Sequence, residues 1–243
     1  MENVEWFKDW FNSPYYHLLY NNRSETEADF FITNLCNYLK LNQNAKLWDL
    51  ACGKGRHSIA LNKKGYVVTG TDLSRHNISE ASQYNNATLD FFIHDMRTPF
   101  RVNYFDAVLN LFTSIGYFKN FKDNFLVFKN VTHALKSNGY FVVDFFNANK
   151  VCNSMKPTYC EKRGEIVFNI HKQIINNEIH KRIEFTDNGK NYFFEETVSL
   201  LTKSDFESFA SCCNLKLVNT FGNYNLDDFN TETSDRLILI FKK

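Results

Sequence analysis

The sequence predicts an α/β fold, a mostly parallel sheet of seven strands covered by helices on both faces, with an antiparallel meander inserted after the fifth strand. Three observations predict it. Short apolar runs of strand length alternate with helical patterns through the first 145 residues. The first run leads into "LWDLACGKGRHS", residues 47–58, where two glycines let a strand turn sharply into a helix. Past residue 149 the texture changes to apolar alternation broken by Asn- and Gly-containing turn signals.

The elements follow in order. Residues 27–41 carry Phe30, Phe31, Leu35, Tyr38 and Leu39 at helical spacing. Strands are expected at 46–51, 66–71, 89–93, 105–111 and 140–145, with helices near 55–64, 74–85 and 123–135. Helices between consecutive strands are the crossovers that parallel pairing requires. Residues 166–201 read as three strands joined at Asn176-Asn177 and Asp187-Asn188-Gly189. A helix resumes at 202–213 with Thr202 or Ser204 as its N-cap. Two last strands, 215–221 and 236–241, flank a polar loop longer than the usual connection and form an antiparallel pair at one sheet edge.

Composition sets the bounds. The chain has 243 residues, 44% of them hydrophobic, enough for a sizeable core. With 28 Lys+Arg against 27 Asp+Glu the net charge is +1, so no global field gathers nucleic acid or an anionic membrane. The six cysteines form no C-x-x-C pair and keep no zinc spacing, which indicates neither a metal site nor a disulfide framework. They read as reduced thiols. No signal peptide and no apolar run of the ~20 residues that span a bilayer is seen, and the expectation is a soluble, cytoplasmic protein.

In an open α/β sheet the ligand lies beyond the carboxyl ends of the strands, and the motifs fall there. Gly53 and Gly55 let the backbone approach a ligand, while the following helix offers free N–H groups to a pyrophosphate or a carboxylate. A dinucleotide fingerprint places a third glycine where this chain has Ser58. Asp72, nineteen residues beyond Gly53, can accept both hydroxyls of a ribose. With Ser74 it can equally cap the next helix, and the two roles are compatible. In "FFIHDMRTPF", residues 91–100, His94, Asp95, Met96 and Arg97 end the third strand, where a carboxylate can accept from an adenine amino group beside an apolar cover.

"DLACGKG", residues 49–55, resembles motif I of the class I S-adenosylmethionine-dependent methyltransferases, in which an acidic residue four places before the first glycine opens the loop. Asp49 is that residue. Asp72 matches their ribose-binding acid and "HDM" their adenine-binding segment, with Asp95 as acceptor. A third glycine is not needed there, since the ligand carries a methionine moiety instead of a second nucleotide. "FDAVLNLFTSIGYF", residues 105–118, is similar to small-molecule methyltransferases of the methyltransferase-domain-25 type. That resemblance places Phe112 along the adenine and Tyr117 at the active-site mouth. "SPYYHLLY", residues 13–20, resembles their N-terminal segment, which folds over the cofactor and offers a tyrosine such as Tyr16, with Arg23 paired to the methionine carboxylate.

The resemblance implies a Rossmann-like sheet of order 3-2-1-4-5-7-6 and S-adenosyl-L-methionine as cofactor. It implies a binding set of Tyr16, Arg23, Asp49, Ala51, Cys52, Gly53, Gly55, Asp72, Leu73, His94, Asp95, Met96, Asn110, Leu111 and Phe112. The expected layout is a lid and helix at 1–45, the cofactor-binding core at 46–149, an insertion covering the acceptor site at 150–201, and the rest of the core at 202–243.

A sulfonium already makes its methyl group a good electrophile, so alignment is the main task, and positioning supplies ~7–11 kcal/mol of barrier reduction. Tyr16, His17, Tyr117 and Asp144 are the candidates for a base, none placed by a motif and each read more readily as structural or substrate-lining; the catalytic residue stays unassigned, with Tyr16 and Tyr117 as its candidates. Asn110-Leu111-Phe112-Thr113 stands where methyltransferases of nucleobase amines carry an Asn-Pro-Pro-aromatic tetrad, which disfavours nucleic acid. The expected partner is a small-molecule methyl acceptor, with no nucleic acid and no membrane, for a monomer or homodimer. Tyr192, Phe193 and Phe194 read as sheet core. Glu195 and Glu196 read as a solvated strand face, attraction of a cationic acceptor being the other reading. Two further functions share these residues, a cofactor-binding protein without turnover and a nicotinamide-dependent oxidoreductase.

Overall fold

A computed structural model describes residues 6–20, 25–118 and 120–243. Two short helices open the chain, α1 (Trp6–Asn12) and α2 (Pro14–Leu19), followed by α3 (Glu25–Leu39). Ser13 caps α2 by accepting from the Tyr15 amide, and Pro14 stands in the first turn, where its missing N–H costs nothing. The α/β core then runs β1 (Lys46–Leu50), α4 (Arg56–Lys63), β2 (Val67–Asp72), α5 (Arg75–Ala81), β3 (Leu89–Ile93), β4 (Phe105–Asn110), α6 (Phe121–Ala134) and β5 (Leu135–Phe146). After α7 (Ala148–Ser154) comes the insertion, β6 (Thr158–Arg163), β7 (Ile166–Ile175), β8 (Glu178–Asp187) and β9 (Lys190–Ser199). The chain ends with α8 (Lys203–Cys212), β10 (Lys216–Phe221) and β11 (Arg236–Lys242).

The main sheet has the order β10-β11-β5-β4-β1-β2-β3. It is parallel except at β11, which runs antiparallel to both β5 and β10. This is the expected seven-stranded Rossmann-like arrangement, with the last two strands paired at one edge. Strands β1 and β4 lie at its centre, buried on both faces, which is why they read as near-continuous apolar runs. Trp48, Phe128, Phe141, Phe206 and Phe241 fill the core on one face, and Phe31, Leu47, Leu61, Phe91 and Ile240 fill it on the other. Strand β5 starts earlier than expected. Leu135 pairs with Phe105, the chain kinks at Asn138, where φ is +65°, and regular pairing resumes at Tyr140 opposite Ala107.

The insertion is a separate antiparallel sheet of order β6-β7-β8-β9, one strand more than expected. Its two foreseen turns are two-residue hairpins at Asn176-Asn177 and Asn188-Gly189, all four residues at positive φ, as type I′ geometry demands. Strand β6 escaped notice because it buries no residue fully and its pattern is polar throughout. The inner face buries Phe168, Ile170, Ile183 and Phe185 against Trp10 and Leu19 of the N-terminal helices. Tyr192 and Phe194 join that face, whereas Phe193 points outward and is half exposed.

Glu196 corrects the expectation of a solvated strand. Its carboxylate accepts from Trp10 Nε1 and from the Tyr20 hydroxyl, each at 2.6 Å, and faces the Lys181 ammonium at 3.4 Å. Lys181 itself is buried. A charged pair is tolerated in this apolar layer because each member is hydrogen-bonded, and Glu196 thereby ties α1 and α2 to the insertion.

Candidate active site

A cavity of about 350 Å³ lies where the loops after β1, β2, β3 and β4 converge. The lining brings together twelve of the expected residues: Tyr16, Ala51, Cys52, Gly53, Asp72, Leu73, His94, Asp95, Met96, Leu111, Phe112 and Tyr117. Arg23 lies outside the described residues. Phe7, Phe11, Asn12, Tyr16, His17 and Tyr20 roof the cavity, so α1 and α2 form a lid. No residue of 150–201 lines it among the described residues. The insertion packs on the far side of the lid instead of lining this cavity.

The two loop glycines divide the work. Ala51, Gly53 and Gly55 all have positive φ, which wraps the backbone around one end of the cavity. A Cβ added to Gly53 would meet no atom within 4 Å, leaving space for a ligand. A Cβ on Gly55 would come within 2.6 Å of the Phe91 ring, and this glycine sits off the cavity wall. Its role is to bring α4 close to the sheet.

Asp49 and Asn110 are likewise moved off the wall. Asp49 is fully buried beneath the loop and accepts from Ser58 Oγ at 2.5 Å; burial pushes its carboxyl up to about 6. The serine in the third-glycine place is thus the partner of the motif's acidic residue. Asn110 is buried in β4 and donates from Nδ2 to the Leu50 carbonyl, holding the ends of β1 and β4 together.

Asp72 is placed for a diol. Its Oδ2 accepts from the Gly53 amide at 2.9 Å and its Oδ1 from the Ser74 amide at 2.8 Å. Burial pushes its pKa up while these two amides and the Asn77 side chain pull it down. A carboxylate has about four lone-pair sites, so acceptor capacity remains for a hydroxyl. Ser74 caps α5 as well, so the capping role foreseen for this corner is present. The residues fit an adenosyl ligand on these grounds, a glycine cradle beside a carboxylate with spare acceptor capacity.

Asp95 departs from its expected part. Arg97 holds it through the backbone amide at 2.9 Å and through Nε and Nη2 at 2.6–3.1 Å, which uses most of its acceptor capacity. Asp95 lines the cavity, and Arg97 packs behind it with its guanidinium 5.0 Å from the Phe118 ring. Asp144 is not a base. It is completely buried and bonded to Arg236 and to the Phe112 amide.

The lid docks on α5. Ser74 Oγ donates to Asn12 Oδ1, and the His17 ring lies 5.8 Å from that of His76. Burial, with Lys54 and His76 adding repulsion against the opposing pull of Glu80, lowers the His17 pKa from 6.5 to about 4. The docked lid therefore favours neutral His17. Its contribution is complete above pH 6.5 and is lost as pH falls from 6.5 toward 4. Hydrogen exchange across α1 and α2 is expected to show lid opening that grows by up to about tenfold per pH unit below 6.5. In His17→Gln that acid dependence should disappear.

Sequence patterns missed several lining residues. Lys54, Arg56 and His57 stand inside the glycine motif but carry no signature of their own. Asn77 is on the buried face of α5, and Phe7, Phe11 and Asn12 belong to a helix that no capping signal announced. Arg56 lies 4.7 Å from the Phe112 ring and His57 stacks on it at 4.9 Å, so the β1 and β4 loops are joined through that phenylalanine.

The family model described as a methyltransferase domain matches residues 48–143. YqeM of Bacillus subtilis (strain 168), a protein provisionally named a methyltransferase, is 29% identical over 214 residues, spanning 84% of this chain and 86% of its own. An S-adenosylmethionine-dependent methyltransferase from Clostridium acetobutylicum superposes with a TM-score of 0.78 at 20% identity, covering 94% of this chain and 95% of that one. CalS10 from Micromonospora echinaspora, an amino pentose methyltransferase solved with S-adenosylmethionine bound, gives a TM-score of 0.67 at 15% identity, covering 91% and 92%. At such identities the structural likeness is one of fold.

Proposed function

With residues 48–143 a methyltransferase domain of the class I, S-adenosylmethionine-dependent kind, we propose that the chain transfers a methyl group in line to an amine nitrogen of a small molecule held under the lid. The observation that carries this is the convergence of four strand-end loops and α1–α2 on one cavity, with Asp72 on its wall retaining acceptor capacity. When bound, the cofactor supplies an electrophilic methyl on a sulfonium. Asp72 orients the ribose, and Gly53 leaves room for the methionine moiety. Asp95, Met96 and Phe112 enclose the base, while Tyr16 and Tyr117 line the acceptor end.

The chemistry asked of these residues is alignment and water exclusion, worth ~7–11 kcal/mol. Both carboxylates of the described lining, Asp72 and Asp95, are engaged, and His17 and His94 have lowered pKa values through burial. Such a site suits an amine, which needs only to shed a proton near neutrality, better than an alcohol, which needs a strong base. CalS10 and its amino pentose make an amino sugar a natural head of the acceptor panel.

Calorimetry with S-adenosylhomocysteine tests the cofactor step, with micromolar binding expected; no binding by the intact protein sinks the reading. A panel of amines, amino sugars, alcohols and small acids, scanned for the mass gain of one CH₂ unit, tests the acceptor. Methylated alcohols with untouched amines would overturn the choice of nitrogen.

A further inference from the structure

We infer that Asp144 and Arg236 are positioning residues for cofactor binding, a buried clamp that holds Phe112 and Thr113 in a backbone shape they would not adopt alone. The inference rests on the cofactor reading above and adds to it residues far from every cofactor motif. Phe112 and Thr113 follow β4 with φ of +58° and +60°. Two consecutive non-glycine residues in the left-handed region are uncommon, and a β-branched threonine there is a genuine outlier. Such a conformation persists only where its surroundings over-determine it.

The surroundings here are specific. Asp144, on β5, accepts the Phe112 amide at 2.9 Å through Oδ2, and its backbone carbonyl accepts the Thr113 amide at 2.9 Å. Its other oxygen takes Arg236 Nε at 2.8 Å, while Nη2 of the same guanidinium donates to Thr113 Oγ1 at 3.1 Å. The Tyr224 hydroxyl reaches Asp144 Oδ2 at 3.3 Å, and Tyr224 lies 5.4 Å from the Phe112 ring.

A buried ion pair is weak support for stability, since apolar residues of similar volume often serve as well or better. What an apolar pair cannot do is accept the Phe112 amide and donate to Thr113 at once. The geometry also gives the long loop before β11 a purpose, because it ends at Arg236 and delivers Tyr224 to the same carboxylate. Phe112 lines the cavity and takes His57 on its face. Loss of the clamp should let this wall relax without emptying the core.

The test compares Arg236→Met, Thr113→Gly and the double variant. Arg236→Met should weaken S-adenosylhomocysteine binding about tenfold, ~1.4 kcal/mol, and speed hydrogen exchange at the Phe112 and Thr113 amides. Glycine adopts positive φ without penalty, so the double variant should bind several-fold tighter than Arg236→Met, with Thr113→Gly alone as its reference. A role in bulk stability alone predicts no such rescue. Wild-type affinity in folded Arg236→Met, or a double variant as weak as the single one, would overturn the clamp. Should Arg236→Met fail to fold, Thr113→Val carries the test, since it replaces the hydroxyl that Arg236 holds with a methyl and keeps the β-branch: a loss of affinity of about threefold or more supports the clamp, and any smaller change refutes it. A wild type that does not bind S-adenosylhomocysteine refutes the cofactor reading, and this role with it. The exchange arm then still reports whether Arg236 holds the loop.

Discussion

Asp72→Ala is expected to weaken S-adenosylhomocysteine binding about 100-fold, ~2.8 kcal/mol, with little change in the thermal midpoint measured without ligand. The variant would lose the carboxylate's hydrogen bonding to the ribose diol, and a bond to a charged group is worth ~1.5–3 kcal/mol. It would also release the Gly53 and Ser74 amides. Those amides lie at a cavity wall, where water can replace the lost acceptor, so the fold should survive. Asp72→Asn should fall between, because an amide oxygen accepts one of the two hydroxyls and its NH₂ opposes the other. Calorimetry on both variants decides the matter. Wild-type affinity in Asp72→Ala would remove this residue from the site and move the ribose elsewhere.

Gly55→Ala is expected to destabilise the fold by ~3 kcal/mol, from ~1–2 kcal/mol for a non-glycine residue at positive φ and ~1–3 kcal/mol for overpacking. The new methyl would stand 2.6 Å from the Phe91 ring and 3.3 Å from the Ala81 methyl. Phe91 is buried, and a Cβ on Gly70 would also strike its ring, at 2.4 Å, so the ring has little room to retreat. For a chain of this size the loss corresponds to about 10 °C in the thermal midpoint. Phe91→Leu in the same background should recover part of it by shrinking the obstructing group. Gly53→Ala supplies the contrast. Its Cβ meets nothing, so the fold should lose only ~1–2 kcal/mol of backbone conformational energy while cofactor affinity falls. Equal stability loss from the two substitutions would contradict the division of labour between the glycines.

The cofactor half of the site was legible because its chemistry sits in short local segments. A strand, two glycines and a helix start lie within one stretch of twelve residues, and Asp72 and the "HDM" segment each end a strand, where an open sheet presents its ligands. Local spacing did not separate residues that line the cavity from residues that support it. Asp49, Gly55 and Asn110 belong to the same loops as Gly53 and Leu111, yet face the layer beneath. Asp144 looked like a free acid in a strand and is bound on both oxygens. Glu196 looked like one of two surface carboxylates and is the anchor of the lid.

By itself, then, the amino-acid sequence determined the parallel core, the inserted hairpins, the glycine loop and the acidic residue that ends the second strand, since periodicity, turn chemistry and motif spacing act over a few residues at a time. Only the tertiary structure decided that the insertion braces the lid instead of lining the cavity, that Arg97 takes Asp95, and that Arg236 reaches back across the sheet to Thr113. Those outcomes depend on which side chains meet, across 123 residues of chain in the last case, and a charged group's role is set by the partner it finds when water is removed.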